Sequence, residues 1–252
     1  MRIAVAMKPV PDLLQIRMKD RRPVLEDVPV VLGAIDRSAL EIAVELKEKT
    51  SGHIVVLMAG DGRLEDTVKE ALAAGADEAL LIRDARLNGA DGSLSAHALA
   101  AGVRKIGPVD LLLFGEGSTD NYSGQVMSRV SEILGIPQAG YVRDIVVEGE
   151  TLIVTRSLED EEEILEIRPP AAFSVLSEIR EPRIPSVTAI LKARKKPATV
   201  LSLDELGVGT GSGAGVETVS TLAPMTGRKG ERIPSLEELV RVLRKEAPGG
   251  GA

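Results

Sequence analysis

The stretch of this chain best suited to holding a ligand is Gly115-Glu116-Gly117-Ser118-Thr119-Asp120-Asn121-Tyr122-Ser123-Gly124-Gln125-Val126. It leaves an apolar, strand-like run at 110–114, passes through small and hydroxyl-bearing residues, and enters a helical pattern near Ser123 or Gly124. The first turn of a helix carries backbone N–H groups with no intrahelical acceptor, at a positive dipole end. A nucleotide phosphate could be held there without a single lysine. The same residues also read as an ordinary strand-to-helix connection capped by a serine. The residues alone leave both readings open.

The remaining inventory excludes most reaction chemistry. The absence of cysteine removes disulfides, thiolate nucleophiles, Cys-ligated metals and iron–sulfur clusters together. His53 and His97 lie far apart without metal-ligand spacing, so both read as structural and no metal site is expected. Gly-x-Ser-x-Gly does not occur, and a nucleophilic triad has no histidine suitably placed to serve it. Neither a Gly-x-Gly-x-x-Gly after the first strand nor a Walker A sequence is present. The run Glu159-Asp160-Glu161-Glu162-Glu163 sits at a strand turn and reads as a solvated face. A net charge of −7 argues against nucleic acid, whose phosphates call for a basic surface. With no Trp, two Phe and two Tyr, a base-stacking platform is also excluded. No apolar run approaches the ~20 residues that span a bilayer, so no membrane insertion is expected. Residues 1–8 reach Lys8 too early for a signal peptide, which makes a cytoplasmic location the expectation. Two Asn and three Gln, set against many Glu and Arg, form a bias known from heat-adapted proteins, so a thermophilic source is expected.

Apolar runs at 2–7, 53–59, 79–82 and 110–114 read as buried strands. Helical patterns fall between or after them, at roughly 64–74, 93–106 and 123–134, with another capped by Asp36 and running to Lys49. This alternation predicts an α/β fold: a doubly wound, mainly parallel, Rossmann-like sheet with helices on both faces. Ligands of such sheets sit beyond the carboxyl ends of the strands, here at 7–9, 59–62 and 115–118. From about Tyr141 the pattern changes to short strands at 142–147, 152–156, 164–167 and 172–176, the first two joined as a late β-hairpin. Residues 179–197, rich in Pro, Arg and Lys, read as a loop. Residues 207–215, with Gly at every second position, read as a flexible linker, and 235–246 as a last amphipathic helix.

The chain resembles electron transfer flavoprotein beta subunits along nearly its whole length. The resemblance rests on Lys8-Pro9-Val10-Pro11-Asp12, on Ala39-Leu40-Glu41-Ile42-Ala43-Val44-Glu45-Leu46-Lys47-Glu48, on Ala71-Leu72-Ala73-Ala74-Gly75-Ala76-Asp77, and on residues 115–126 continued by Leu134-Gly135-Ile136-Pro137-Gln138. Its most specific part is Glu181-Pro182-Arg183-Ile184-Pro185-Ser186-Val187-Thr188-Ala189-Ile190-Leu191-Lys192-Ala193-Arg194-Lys195-Lys196.

This resemblance implies an adenine-nucleotide-binding α/β domain over 1–197 and a C-terminal arm over 198–252 that packs on an FAD-bearing alpha subunit. It implies a structural AMP lined by Ala6, Gly33, Ala34, Ile35, Asp36, Ala59 and residues 115–126, with the phosphate at the N–H groups of Gly124, Gln125 and Val126. Val126 stands where the family usually has Thr, and Gly33-Ala34 where it has Asn-Pro. Leu13 takes the position that reaches toward the flavin dimethylbenzene edge. Glu181, Pro182, Arg183, Val187, Ile190 and Lys192 belong to a partner-docking loop with Val187 as its apolar anchor. The implied activity is electron transfer without bond chemistry on this chain, as in fatty acid oxidation: from acyl-CoA and other flavin dehydrogenases to a membrane quinone oxidoreductase. Alternatives are a bifurcating-type subunit with a second FAD in place of AMP, a stand-alone ATP- or AMP-binding protein, and a scaffold without ligand.

Overall fold

A computed structural model of the chain describes residues 1–62, 64–209, 218–225, 227, 230 and 232–246. Nine strands form the main sheet: β1 (Arg2–Ala6), β6 (His53–Gly60), β7 (Glu78–Arg83), β8 (Leu111–Gly115), β9 (Gln138–Glu148), β10 (Thr151–Ser157), β11 (Glu162–Ile167), β12 (Ala171–Val175) and β13 (Ala198–Leu201). Their order is β11-β10-β9-β12-β8-β1-β6-β7-β13. Only the β9–β10 and β10–β11 pairs are antiparallel. The expected doubly wound, mainly parallel α/β fold with a late hairpin is therefore what forms.

Side-chain alternation along β1 shows why both faces must be covered. Ile3 and Val5 face one way, packing with Leu40 of helix α1 (Ala34–Thr50) and Leu64 and Leu72 of α2 (Leu64–Ala74). Ala4 and Ala6 face the other way. There they meet Leu99 and Val103 of α3 (Gly92–Ile106) and Met127 and Val130 of α4 (Val126–Leu134). Period-2 burial on a central strand thus recruits two helical layers.

Several local expectations are corrected. Asp36 does not cap α1; Gly33 is the N-cap and makes no side-chain cap bond, while Asp36 is buried in the first turn. Helix α4 starts at Val126, not at Ser123 or Gly124, because Gly124 adopts a left-handed φ of 64° that a helix cannot continue. The supposed loop at 179–197 contains helix α5 (Val187–Ala193), which Ser186 caps by accepting from the Ala189 N–H. The polar stretch after β1 holds two small antiparallel pairs, β2 (Pro9–Pro11) with β5 (Val30–Leu32) and β3 (Arg17–Lys19) with β4 (Arg22–Val24).

β13 lies just past the expected boundary at 197, yet it pairs with β7, and Leu203 and Val208 bury themselves against Ile82 and Ala98. The α/β body therefore runs on to Val208. Of the expected linker at 207–215, residues 210–215 lie outside the described residues. Beyond it, Ala223 exchanges two hydrogen bonds with Arg21, both 2.8 Å. Helix α6 (Leu236–Glu246) leaves Leu236 and Leu243 exposed.

Phe173 of β12 is a large, fully buried side chain in the first core layer. Phe173→Ala should lower the unfolding free energy by about 3–5 kcal/mol in chemical denaturation. Ile164→Ala, on the exposed edge strand β11, should change it by less than about 0.5 kcal/mol.

Candidate functional site

At the carboxyl ends of β1, β6 and β8 the sheet opens into a cleft of about 820 Å³, counting its open mouth. This is the crevice position at which strand order reverses about β1. One wall is built by Ala6, Met7 and Lys8 leaving β1, with Ala59 of β6 beside them. Residues 114–118, leaving β8, form the floor. The opposite lip comes from Ala90, Gly92, Ser95 and Leu99 around the start of α3, and the last side from Asn121 and residues 123–127.

Among the expected site residues, the fold brings together Ala6, Asp36, Ala59, Gly115, Glu116, Gly117, Ser118, Asn121, Ser123, Gly124, Gln125 and Val126 on this cleft. Gly33, Ala34, Ile35, Thr119, Asp120 and Tyr122 do not line it. Asp120 instead accepts from the Lys8 ammonium at 2.6 Å, a clasp between the end of β1 and the loop. Burial works against the Asp120 carboxylate, but Lys8 and the Ser118 hydroxyl together hold its pKa below the usual value. Tyr122 donates from its hydroxyl to Glu116 at 2.7 Å, and that bond pushes the phenol up to about 12.

Met7 and Lys8 line the cleft at the strand end where a ligand was expected, whereas Ala90, Gly92, Ser95, Leu99, Phe114 and Met127 line it without having been expected there. Phe114 and Met127 directly adjoin the expected 115–126 stretch. The α3 lip carries no ligand-binding pattern of its own and joins the cleft only through tertiary packing.

The two helix starts at the cleft differ. Asp91 caps α3, accepting from the N–H groups of Ser93 and Leu94 at 3.0 Å each. α4 has no side-chain cap bond at Gln125. Its first-turn N–H groups therefore keep their donor capacity at the cleft. Below them, Asp36 closes the floor. Its carboxylate accepts the Lys8 N–H at 2.7 Å and also the Gly115 N–H. Burial pushes the Asp36 pKa up to about 7, against the pull of those two backbone donors and the Lys8 charge.

Away from the cleft, Leu13 is half exposed on the turn after β2. In the 181–196 segment, Ile184, Val187, Ile190 and Leu191 are all exposed. Neither His53 nor His97 belongs to a metal cluster; no group of three or more His, Asp or Glu arranged to hold a metal occurs among the described residues. None of the described helices is long and apolar enough to cross a membrane.

Fold and cleft define a Rossmann-like α/β protein with a cleft open to solvent at its switch point. The family model for the electron transfer flavoprotein domain matches residues 24–206. The chain is 37% identical to the electron transfer flavoprotein subunit beta of Thermoanaerobacterium thermosaccharolyticum, covering 92% of this chain and 91% of the relative. It is 35% identical to the subunit beta of Clostridium acetobutylicum, over 82% and 81%. It is also 35% identical to the caffeyl-CoA reductase-Etf complex subunit CarD of Acetobacterium woodii, over 82% and 80%. The chain belongs to the electron transfer flavoprotein family, as a beta subunit.

The raised pKa of Asp36 has a fixed sign in stability. Between the ordinary value of 3.8 and about 7, the folded protein keeps a proton that the unfolded chain has released. The stability contributed by this group is therefore full below about pH 4 and is lost as pH rises through about 7. In denaturation of the purified complex, the wild type should lose about 3 kcal/mol relative to Asp36→Asn between about pH 5 and pH 8. Parallel pH profiles would contradict the assignment.

Proposed function

We propose that this chain holds a structural AMP in the cleft, one apolar wall of an alpha-subunit FAD site, and the surface on which electron-donating dehydrogenases dock. The single observation that carries the ligand reading is the uncapped first turn of α4, presented to a cleft at the carboxyl ends of the strands. The residues fit an adenylate phosphate. Gly124 in its left-handed conformation turns the loop into α4, and Gly115 lets the floor approach α1 closely. Val126 offers no hydroxyl, so the phosphate rests on backbone donors.

When bound mainly to the alpha subunit, FAD accepts and passes on electrons. This chain's part is to bind and orient. Leu13, half exposed beside the fully accessible Leu14, supplies apolar contact and excludes water at the flavin edge. Glu181, Pro182, Arg183, Val187, Ile190 and Lys192 form the docking surface, where an exposed aliphatic anchor in a partner pocket contributes about 1.5–3 kcal/mol. That modest anchor suits a carrier that must release acyl-CoA and other flavin dehydrogenases before reaching a membrane quinone oxidoreductase. The relative named for a caffeyl-CoA reductase-Etf complex supports partners acting on CoA thioesters. The arm beyond Val208, with the exposed apolar side of α6, packs on the alpha subunit in this reading, and the complex works in the cytoplasm.

A second reading, FAD in the same cleft, is favoured by one observation. Lys8 lines the cleft, and its ammonium, released from Asp120, would supply the counter-charge that the second phosphate of a dinucleotide needs. Nucleotide extraction from the purified two-chain complex separates the readings. One FAD and one AMP per complex is the expected result. Two FAD without AMP would establish the second reading, and no adenylate beyond the alpha-subunit flavin would overturn both.

A further inference from the structure

Helix α1 carries a row of glutamates that the cleft does not use. Glu41, Glu45 and Glu48 are spaced by four and three residues, which puts them on one helical face. Each is taken by an arginine from the segment between β12 and α5. Arg180 donates from Nε to Glu45 and from its terminal nitrogen to Asp144 of β9, both at 2.9 Å. One turn earlier on α1, the Ser38 hydroxyl donates to the Ser177 carbonyl at 2.9 Å.

The grip on Glu41 is closer still. Arg183 donates to its carboxylate from Nε at 2.9 and 3.0 Å, from a terminal nitrogen at 2.8 Å, and from its own backbone N–H at 3.0 Å. The other terminal nitrogen reaches Glu48 at 2.8 Å. The Glu41 side chain is only 9% exposed. A carboxylate that deep is tolerated only while it is paired, so the chain at Arg183 cannot lift away without stranding a buried charge. Immediately beyond this fastening stand Ile184 and Val187, 94% and 75% exposed. At the far end, the Lys196 ammonium donates to the carbonyls of Leu72 and Ala76 of the α2 turn, at 2.7 and 2.5 Å.

We propose that Glu41 is a positioning residue for partner docking: by gripping Arg183 through both backbone and guanidinium, it holds residues 184–191 in their binding pose before a partner arrives. The proposal rests on the reading of this segment as the docking surface. A surface ordered in advance spares the encounter the ordering entropy that a mobile loop would lose. The apolar side chains stay exposed because their backbone is fixed from beneath by charge pairs on one side and by α2 on the other.

The test uses the whole two-chain complex, with an acyl-CoA dehydrogenase of the same organism as electron donor. Glu41→Gln weakens the charge-assisted fork, and KM for the complex should rise about tenfold with kcat and flavin content unchanged. Amide hydrogen exchange over 184–191 should speed up alongside. Val187→Asp serves as the comparison, since it damages the anchor and leaves the fastening intact. A raised KM in Val187→Asp with unchanged KM and exchange in Glu41→Gln overturns the role of Glu41 and keeps the docking reading. Unchanged KM in both variants overturns the docking reading and the proposal with it. Should Glu41→Gln fail to assemble, Arg183→Lys carries the test. It keeps the charge and the backbone donor but loses the planar fork, and a KM equal to wild type in that variant overturns the proposal.

Discussion

One buried carboxylate organises this molecule. Asp36 sits in the first turn of α1 and ties down two strand ends at once, through the N–H groups of Lys8 after β1 and Gly115 at the end of β8. The neighbours in the sheet, β1 and β8, are thereby locked to the same helix where the cleft opens. The constraint is tight enough to dictate sequence. A Cβ at position 115 would stand 2.7 Å from Asp36 Oδ1, closer than real Cβ atoms approach, and would press on Ile35 Cγ2 at 3.0 Å. Only glycine lets β8 end there. The price is a desolvated acid, and its upward-shifted pKa is the record of that burial.

From this anchor the cleft follows. With β1 and β8 fixed, Lys8 projects toward the loop and clasps Asp120. The Glu116 carboxylate takes the Tyr122 hydroxyl, and the loop turns through left-handed Tyr122 and Gly124 into α4. Helix α1 also serves a second surface. Its N-terminal turn holds the floor of the cleft, Ser38, Glu41, Glu45 and Glu48 hold the segment leading to α5, and Lys47 reaches Asp77 at 2.5 Å before β7. One rigid helix thus sets the relative placement of ligand cleft and exposed apolar segment.

Most of the sheet was legible in the residues because buried parallel strands announce themselves as short apolar runs between helical periods. What escaped was set by tertiary contact or by single dihedral angles. Asp36 has the chemistry of an N-cap and stands near a helix start, yet its oxygens serve neighbouring strands. Ser123 and Gly124 look like a helix opening, but the left-handed φ at Gly124 delays the helix to Val126. Helix α5 is hidden among Pro, Lys and Arg and is only seven residues long, too short for its period to register. β13 needs β7 beside it to be a strand at all, which is why the α/β body outlasts position 197. The cleft showed the same division. Its floor and α4 side were contiguous in sequence and readable, whereas the lip at Ala90, Gly92, Ser95 and Leu99 arrives from a helix whose start gives no sign of a ligand.

The central claim is that main-chain donors at the start of α4 hold an adenylate phosphate above the Asp36 floor. A crystal structure of the assembled two-chain complex tests it most directly. The account predicts phosphate density within hydrogen-bonding distance of the N–H groups at Gln125, Val126 or Met127, with the adenosine lying in the cleft between the β1 end and the α3 lip. A cleft closed by its own side chains, or a nucleotide whose phosphate lies away from the α4 start, would contradict it.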